Sequence, residues 1–290
     1  MTAIVDVRDV VKRYADFSLG PVTLSIPGGC ITGLFGPSGS GKTTLVKILA
    51  DIHRVDSGTV QLFGHTYRER EKEIKNRVGY VGEEQFFPRD RTVGWTSRYV
   101  AAFYQEWDWA TYRLLAARFS LPDDKKVGAL SRGRRALLAL AVALAHNAEL
   151  LILDEPTAGL DMIVRREILD TLRDFVSDET RAVLLSSHVT DALADVSDYV
   201  ALLNTGRIIL HEEKDELLSD WKWLHYRSEA LPEHVADRLA LVRIGKLGSS
   251  GLTKEYRRLH SELAASEAAG EVRVANASLD DVMIALVKGR

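Results

Sequence analysis

The densest chemistry in the chain lies in the run Gly36-Pro37-Ser38-Gly39-Ser40-Gly41-Lys42-Thr43-Thr44. It fits the phosphate-loop pattern in full: two glycines, Gly36 and Gly41, with four residues between them, then Lys-Thr. Glycines let successive backbone N–H groups turn inward and approach phosphate oxygens closely. A helix opening near Lys42 aims its positive dipole end at the same anion. Lys42 is placed to reach the β- and γ-phosphates, and the Thr43 hydroxyl to ligate Mg²⁺. A second run, Leu150-Leu151-Ile152-Leu153-Asp154-Glu155, delivers two carboxylates at the end of an apolar strand. Asp154 suits Mg²⁺, directly or through water. Glu155 suits the water that attacks a γ-phosphate, as general base or as the group that orients it.

These two motifs describe a P-loop NTPase, an architecture shared by kinases, helicases, GTPases and transport ATPases. A third run chooses among them. Leu130-Ser131-Arg132-Gly133-Arg134 lies about 20 residues before the carboxylate strand and opens a helix over Arg135 to His146. Ser131 stands where an N-cap belongs, and Ser131, Gly133 and a helix N-terminus make a second anion site. A phosphate loop that is already fully furnished has no use for it, whereas ATP bound by another copy does.

On these residues the chain resembles the ABC ATPase family, whose signature reads Leu-Ser-Gly-Gly-Gln. It departs from that signature at Arg132 and Arg134. Comparable Lys/Arg replacements are familiar in a branch of stand-alone transporter ATPases, so they do not imply inactivity. The resemblance covers about residues 3 to 212. The insertion around Phe103 to Asp108 and the Leu-Ser-Arg-Gly run look most like the YtrB-like branch of prokaryotic exporter ATPases.

The resemblance implies further roles. Tyr14 matches the aromatic that stacks on adenine, with Phe17 as the alternative. Ala158-Gly159-Leu160-Asp161 matches the loop that crosses to a partner subunit, which brings Asp161 into the nucleotide site. His188, about 34 residues after Asp154, matches the switch histidine on the γ-phosphate. Glu83 stands where the family carries a Mg²⁺-sensing glutamine, and Gln85 lies two residues on. A carboxylate is also a hard oxygen ligand, which favours Glu83 as the metal contact. Phe86 and Phe87 either line a groove for a membrane subunit or belong to the core. The implied catalytic set is Lys42, Glu155 and His188, acting on Mg-ATP held between two ABC ATPase subunits, alike or different. An integral membrane permease is the implied further partner.

The elements that must position these groups can be read from the pattern. Ile31 to Phe35, Leu150 to Asp154, Ala182 to Ser186 and Tyr199 to Leu203 are short apolar strands, interleaved with helices at Thr43 to Ala50 and Val189 to Val196. Alternation of this kind predicts an α/β fold with a mostly parallel sheet covered on both faces, its ligand at the carboxyl ends of the strands. The aromatic stretch from residue 90 to 128 reads as a helical insertion, within a helical block over about 90–145. The nucleotide-binding domain is expected over 1–212. Residues 213–290 read as a small α+β appendage: strands at Trp221 to Arg227 and Glu271 to Val274, a polar helical stretch between them, and a capping box at Ser278–Asp281 opening a last helix, Val282 to Val287.

Bulk properties narrow the function class. Of 290 residues, 46% are apolar and 27% charged, ordinary for a globular protein, and the net charge of -3 gives no field that points to nucleic acid. The single cysteine, Cys30, excludes an internal disulfide framework. The longest apolar run, Ala136 to Ala145, is about half the roughly 20 residues a membrane span needs, and the N-terminus lacks a secretory pattern. The expected location is cytoplasmic, at the inner face of a membrane through a partner. The rival class is a soluble ABC ATPase with a regulatory or ribosome- or DNA-linked role. Such proteins usually carry two cassettes, long coiled-coil arms or zinc insertions, and this chain has one cassette and neither addition.

Overall fold

In a computed structural model, residues 3–84, 86–188, 195–228, 233–245 and 248–288 are described. The centre is a six-stranded sheet built from β3 (Cys30–Phe35), β5 (Val78–Val81), β6 (Leu150–Asp154), β7 (Ala182–Ser187), β8 (Tyr199–Asn204) and β9 (Arg207–Glu213). Its order is β5-β6-β7-β3-β8-β9; the first five run parallel and β9 returns antiparallel. Every residue of β3, β6 and β7 is buried. That explains why they are mostly apolar without alternation: both faces are covered, and their polar residues fall mainly at the strand ends that form the site.

The two faces feed two cores. Leu150, Ile152 and Leu184 point toward α1 (Lys42–Leu49) and an antiparallel sheet of β1 (Ala3–Arg13), β2 (Ser18–Pro27) and β4 (Ser57–Leu62), ordered β2-β1-β4. Leu151, Leu153, Val183 and Leu185 point the other way. They meet α5 (Arg132–Ala145), α6 (Met162–Val176) and the insertion formed by α3 (Val93–Ala101) and α4 (Trp109–Arg118). α2 (Tyr67–Arg77) opens on a Thr66–Glu69 capping box and ends where Arg77 grips Glu149 through two hydrogen bonds of 2.6 and 2.7 Å. That pair ties the start of β5 to the start of β6.

Beyond β9 the chain differs from the sequence expectation. α7 (Lys214–Asp220) leads into β10 (Lys222–Tyr226), then a short α8 (Glu233–Ala236), β11 (Leu241–Gly245) and β12 (Gly248–Thr253). α9 (Tyr256–Ala268), β13 (Val272–Asn276) and α10 (Leu279–Lys288) follow. The stretch read as wholly helical thus contains two strands, in an antiparallel sheet ordered β11-β12-β10-β13. β12 is Gly-Ser-Ser-Gly-Leu-Thr, poor in strand-forming residues, and it is a strand because it pairs with both β10 and β11. The row Leu241, Leu252, Trp223 and Ala275 faces a core continuous with that of the ATPase region, joined by Val282 and Met283 of α10. The opposite face carries Leu224 and Tyr226 against Leu259 and Leu263 of α9. The Ser278–Asp281 capping box is present, with Ser278 N donating to Asp281 and Asp281 N to Ser278 Oγ. Of the helix expected over Val189 to Val196, residues 189–194 lie outside the described residues, as does Gln85.

Candidate functional site

The phosphate loop runs from the end of β3 to the start of α1, with Ser40 N donating to Pro37 O across it. Gly36 lies so close to the β8–β9 turn that a Cβ there would run into the Leu203 carbonyl. Ser40 is buried and its Oγ has no hydrogen-bond partner. Pro37, Ser38 and Gly39 are exposed. Lys42, at 7% exposure, donates to the carbonyls of Gly36 (2.8 Å) and Pro37 (3.3 Å) and stands 4.0 Å from Glu155 Oε1. Burial pushes its pKa below the ordinary lysine value, partly offset by the charges of Glu155 and Asp154. The lysine is therefore a buried cation held in place by weak carbonyl acceptors inside a loop of inward-facing backbone.

The carboxylates converge on the same point. Asp154, the last residue of β6, is 1% exposed, and its Oδ1 accepts from Thr43 Oγ1 (3.4 Å) and Ser186 Oγ (2.6 Å). Ser186 Oγ also accepts from the Glu155 backbone N–H (3.1 Å). One hydroxyl from the neighbouring strand thus fixes both acidic residues. Glu155 leaves β6 with φ of +49°, which turns its side chain off the strand line. Its Oε2 meets His188 Nδ1 at 2.9 Å. The parallel register pairs Asp154 with Ser186, so both strand ends deliver their polar groups at the same level. Sequence reasoning missed Ser186 because a serine on a buried strand reads as filler; its position two residues before His188 was the available signal.

Glu83 lies exposed just beyond β5. Tyr80 of that strand has its pKa raised by burial and then by the charge of Asp154, which puts the end of β5 within electrostatic reach of the carboxylates. Tyr14 follows β1, is 42% exposed, and shares a 2.9 Å hydrogen bond with His53 Nδ1. Phe17 stacks near Tyr14 and lies against Gly41 of the phosphate loop. Phe17 is thus the ring that lies against the phosphate loop, and Tyr14 is the more exposed ring beside it, tied to His53.

The signature run sits elsewhere. Ser131 is the N-cap of α5, its Oγ accepting from Arg134 N (3.3 Å), and it is exposed. Gly133 is buried, its Cα facing the methyl groups of Val164 on α6. Asp161 caps α6, Oδ1 accepting from Ile163 N and Val164 N at 3.0 Å each. Arg132 lies over Gly159: a Cβ at 159 would stand 2.8 Å from Arg132 Nη1, and Gly159 has φ of +66°. The residue that departs from the family signature therefore bridges to the loop expected to cross to a partner. Gly159→Ala adds backbone strain of about 1 kcal/mol and displaces the guanidinium. ATPase activity should fall several-fold, and the loss should be smaller when Arg132 is already Gly. A double-mutant cycle with no coupling between the two positions would refute the contact.

A buried lysine in a glycine loop at the end of one parallel strand, beside paired carboxylates at the end of another, defines a P-loop ATPase site. Comparison with known proteins gives the family. The ABC transporter family model matches residues 19–158, and an AAA domain model matches residues 126–194. The daunorubicin/doxorubicin resistance ATP-binding protein DrrA of Streptomyces peucetius is 31% identical, covering 75% of this chain and 68% of its own. The Nod factor export ATP-binding protein I of Burkholderia orbicola (strain AU 1054) is 32% identical over 71% of this chain and 70% of its own. The ABC transporter ATP-binding protein YtrB of Bacillus subtilis (strain 168) is 29% identical over 70% of this chain and 69% of its own. A solved ATP-binding subunit of an ABC transporter superimposes with a TM-score of 0.69 at 22% identity, covering 74% of this chain and 92% of that one, which shows the fold. The chain belongs to the ABC transporter ATP-binding family, and it is an ATP-binding, ATP-hydrolysing transporter subunit.

Proposed function

We propose that two such subunits, alike or different, sandwich two Mg-ATP, and that this closure drives substrate movement through a separate integral membrane permease. Each composite site draws Gly36 to Thr44, Asp154, Glu155 and His188 from one chain, and Ser131, Gly133 and Asp161 from the other. The observation that carries this reading is the separation of the two anion-binding elements. The phosphate site already holds Lys42, Thr43, both carboxylates and His188, while the exposed Ser131 cap packs with the start of α6 instead. Met162 and Ile163, next to Asp161, are 81% and 76% exposed, an apolar pair suited to burial against a partner. Tyr14 supplies the adenine stack. The domain division proposed is 1–212 for the ATPase and 213–290 for the appendage. No helix among the described residues is long and apolar enough to cross a membrane, in keeping with attachment to the inner, cytoplasmic face through the permease.

The residues fit Mg²⁺. Thr43 Oγ1 and Asp154 Oδ1 are hard oxygen donors already 3.4 Å apart, and Mg²⁺ bound with a nucleotide typically uses one or two protein oxygens plus phosphates and water. Among the described residues no cluster of three acidic, His or Cys groups forms an all-protein cage. Thr43 and Asp154 would hold the ion, Glu83 is the further oxygen ligand in this reading, and the ion would neutralise charge on the β- and γ-phosphates. Lys42 exchanges its Gly36 and Pro37 carbonyls for phosphate oxygens. Glu155, anchored through its backbone by Ser186, orients water for in-line attack and takes its proton. His188, paired with Glu155, fixes the carboxylate and contacts the γ-phosphate.

The test mixes two inactive variants, Lys42→Ala and Ser131→Arg. In a mixed dimer one composite site holds both lesions and the other holds none, so activity should reappear up to the fraction of mixed dimers. If Ser131 acted within its own chain, each site would hold one lesion and mixing would restore nothing. Pull-down with two different tags establishes that mixed dimers form, and no rescue under that control refutes the sandwich. Co-purification of a multi-span protein from membranes tests the permease separately.

A further inference from the structure

The exposed ring of Tyr14 is held more firmly than its surroundings require. A tyrosine this open to solvent can leave its hydroxyl to water, as most surface side chains do. Here the hydroxyl shares its 2.9 Å hydrogen bond with Nδ1 of His53, 39 positions further along the chain, and the two rings lie 6.3 Å apart. The Tyr14 N–H donates to Phe17 O at 2.8 Å across the turn from β1 to β2. That lays the Phe17 ring alongside, 6.5 Å from the Tyr14 ring and inclined by 27°. Lys12 Nζ stands 5.8 Å from the centre of the Tyr14 ring.

The loop from α1 to β4 supplies the frame. Asp51 takes φ of +56°, and the N–H groups of Ile52 (2.8 Å) and His53 (3.1 Å) both donate to Lys47 O in the last turn of α1. A left-handed residue and a shared carbonyl acceptor end the helix and fix the His53 backbone to it. Three residues on, Asp56 accepts from Lys12 Nζ (3.0 Å) and from the Arg13 N–H (2.7 Å), and its own N–H donates to Val11 O (2.9 Å). Asp56 alone therefore ties the end of β1 to this loop, largely through backbone groups. The bond from His53 to Tyr14 is not needed for that tie. What it adds is a restraint on the tyrosine ring.

We infer that His53 is a positioning residue for nucleotide binding: it holds the Tyr14 ring in the pose that receives adenine before ATP arrives. The inference rests on the proposed stacking of adenine on Tyr14. A ring already fixed loses less freedom when the base settles on it, so the hydrogen bond is returned as affinity. α1 carries the phosphate loop at its start and His53 at its exit. The group that steadies the base platform is thus anchored to the same helix whose first turn receives the phosphates, and both ends of the nucleotide are referenced to one rigid element. His53 acts only through Tyr14. Its effect falls on the base-bearing part of the ligand and spares both the phosphate grip and the chemical step.

The experiment titrates the full chain calorimetrically with Mg-ATP and with Mg-tripolyphosphate, which offers phosphates without a base. His53→Ala should weaken ATP binding about two- to tenfold, the worth of one hydrogen bond, and leave tripolyphosphate binding unchanged. In steady-state assays the loss should appear in KM and not in kcat. His53→Asn keeps a polar atom where Nδ1 stands and should recover most of the affinity. Tyr14→Phe removes the hydroxyl and should match His53→Ala, and the two substitutions together should cost no more than either alone. Equal losses for ATP and tripolyphosphate, or additive losses in the double variant, overturn the positioning role. So does unchanged ATP affinity in His53→Ala while Tyr14→Ala weakens it; that result leaves the stacking on Tyr14 standing. Unchanged ATP affinity in Tyr14→Ala removes the stacking itself, and the role of His53 with it.

Discussion

Glu155→Gln is expected to bind ATP with near wild-type affinity while its turnover falls by a factor on the order of 10²–10⁴, the range typical for loss of a positioned general base. The substitution keeps size and hydrogen-bonding capacity. The native side chain is only 12% exposed and already accepts on Oε2 from, or shares a proton with, His188 at 2.9 Å, so an amide can occupy the same space. Its backbone anchor to Ser186 does not depend on the side chain at all. What disappears is the proton acceptor. Because ATP binding closes the proposed dimer and hydrolysis reopens it, the variant should accumulate as a closed dimer in size-exclusion chromatography with Mg-ATP. Turnover within a few-fold of wild type would remove Glu155 from the catalytic role. A monomer at saturating ATP would count against a homodimer and direct attention to a different partner chain.

Lys42→Ala should fail at the earlier step. The native lysine is almost fully buried, its hydrogen-bond acceptors are uncharged carbonyls and its nearest carboxylate, Glu155, stands only at 4.0 Å, so phosphate oxygens would be its close charged partners. Truncating one side of a buried charged pair costs about 2–5 kcal/mol, which is one to three orders of magnitude or more in affinity. The apoprotein should change little, because the lysine sits in a site whose other anchors, Thr43 to Asp154 and Ser186 to Asp154, remain. Thermal unfolding separates the two effects: the midpoint without nucleotide should stay close to wild type, while the rise on adding Mg-ATP should vanish. An undiminished ATP-induced rise would mean that the nucleotide is bound without the phosphate loop's lysine.

The legible parts of this protein were those in which chemistry and pattern coincide on a few adjacent residues. The phosphate loop was readable because only glycines at 36 and 41 followed by Lys-Thr give that cradle, and the carboxylate strand because β6 is buried on both faces and ends in two acids. Ser186 was not readable, since its role exists only once parallel pairing sets it opposite Asp154. Arg132 could be seen to depart from a signature, yet its contact with Gly159 joins residues 27 positions apart and depends on how α5 meets α6. The two strands β11 and β12 were missed for a related reason. Gly248-Ser-Ser-Gly-Leu-Thr253 has little intrinsic preference for extension and owes its conformation to the neighbouring strand. Which of Tyr14 and Phe17 lies nearer the phosphate loop was not readable either; it is Phe17 that meets Gly41.

β10 has successive side chains on opposite faces, with Trp223 in the core it shares with the ATPase region and Leu224 in the core beneath α9. A strand clamped from both sides has no slack about its own axis. Leu241 of β11 packs against the same core, so the appendage is expected to turn with the catalytic sheet as one layer while the nucleotide site opens and closes, and a shift of that sheet should be carried undamped to β11.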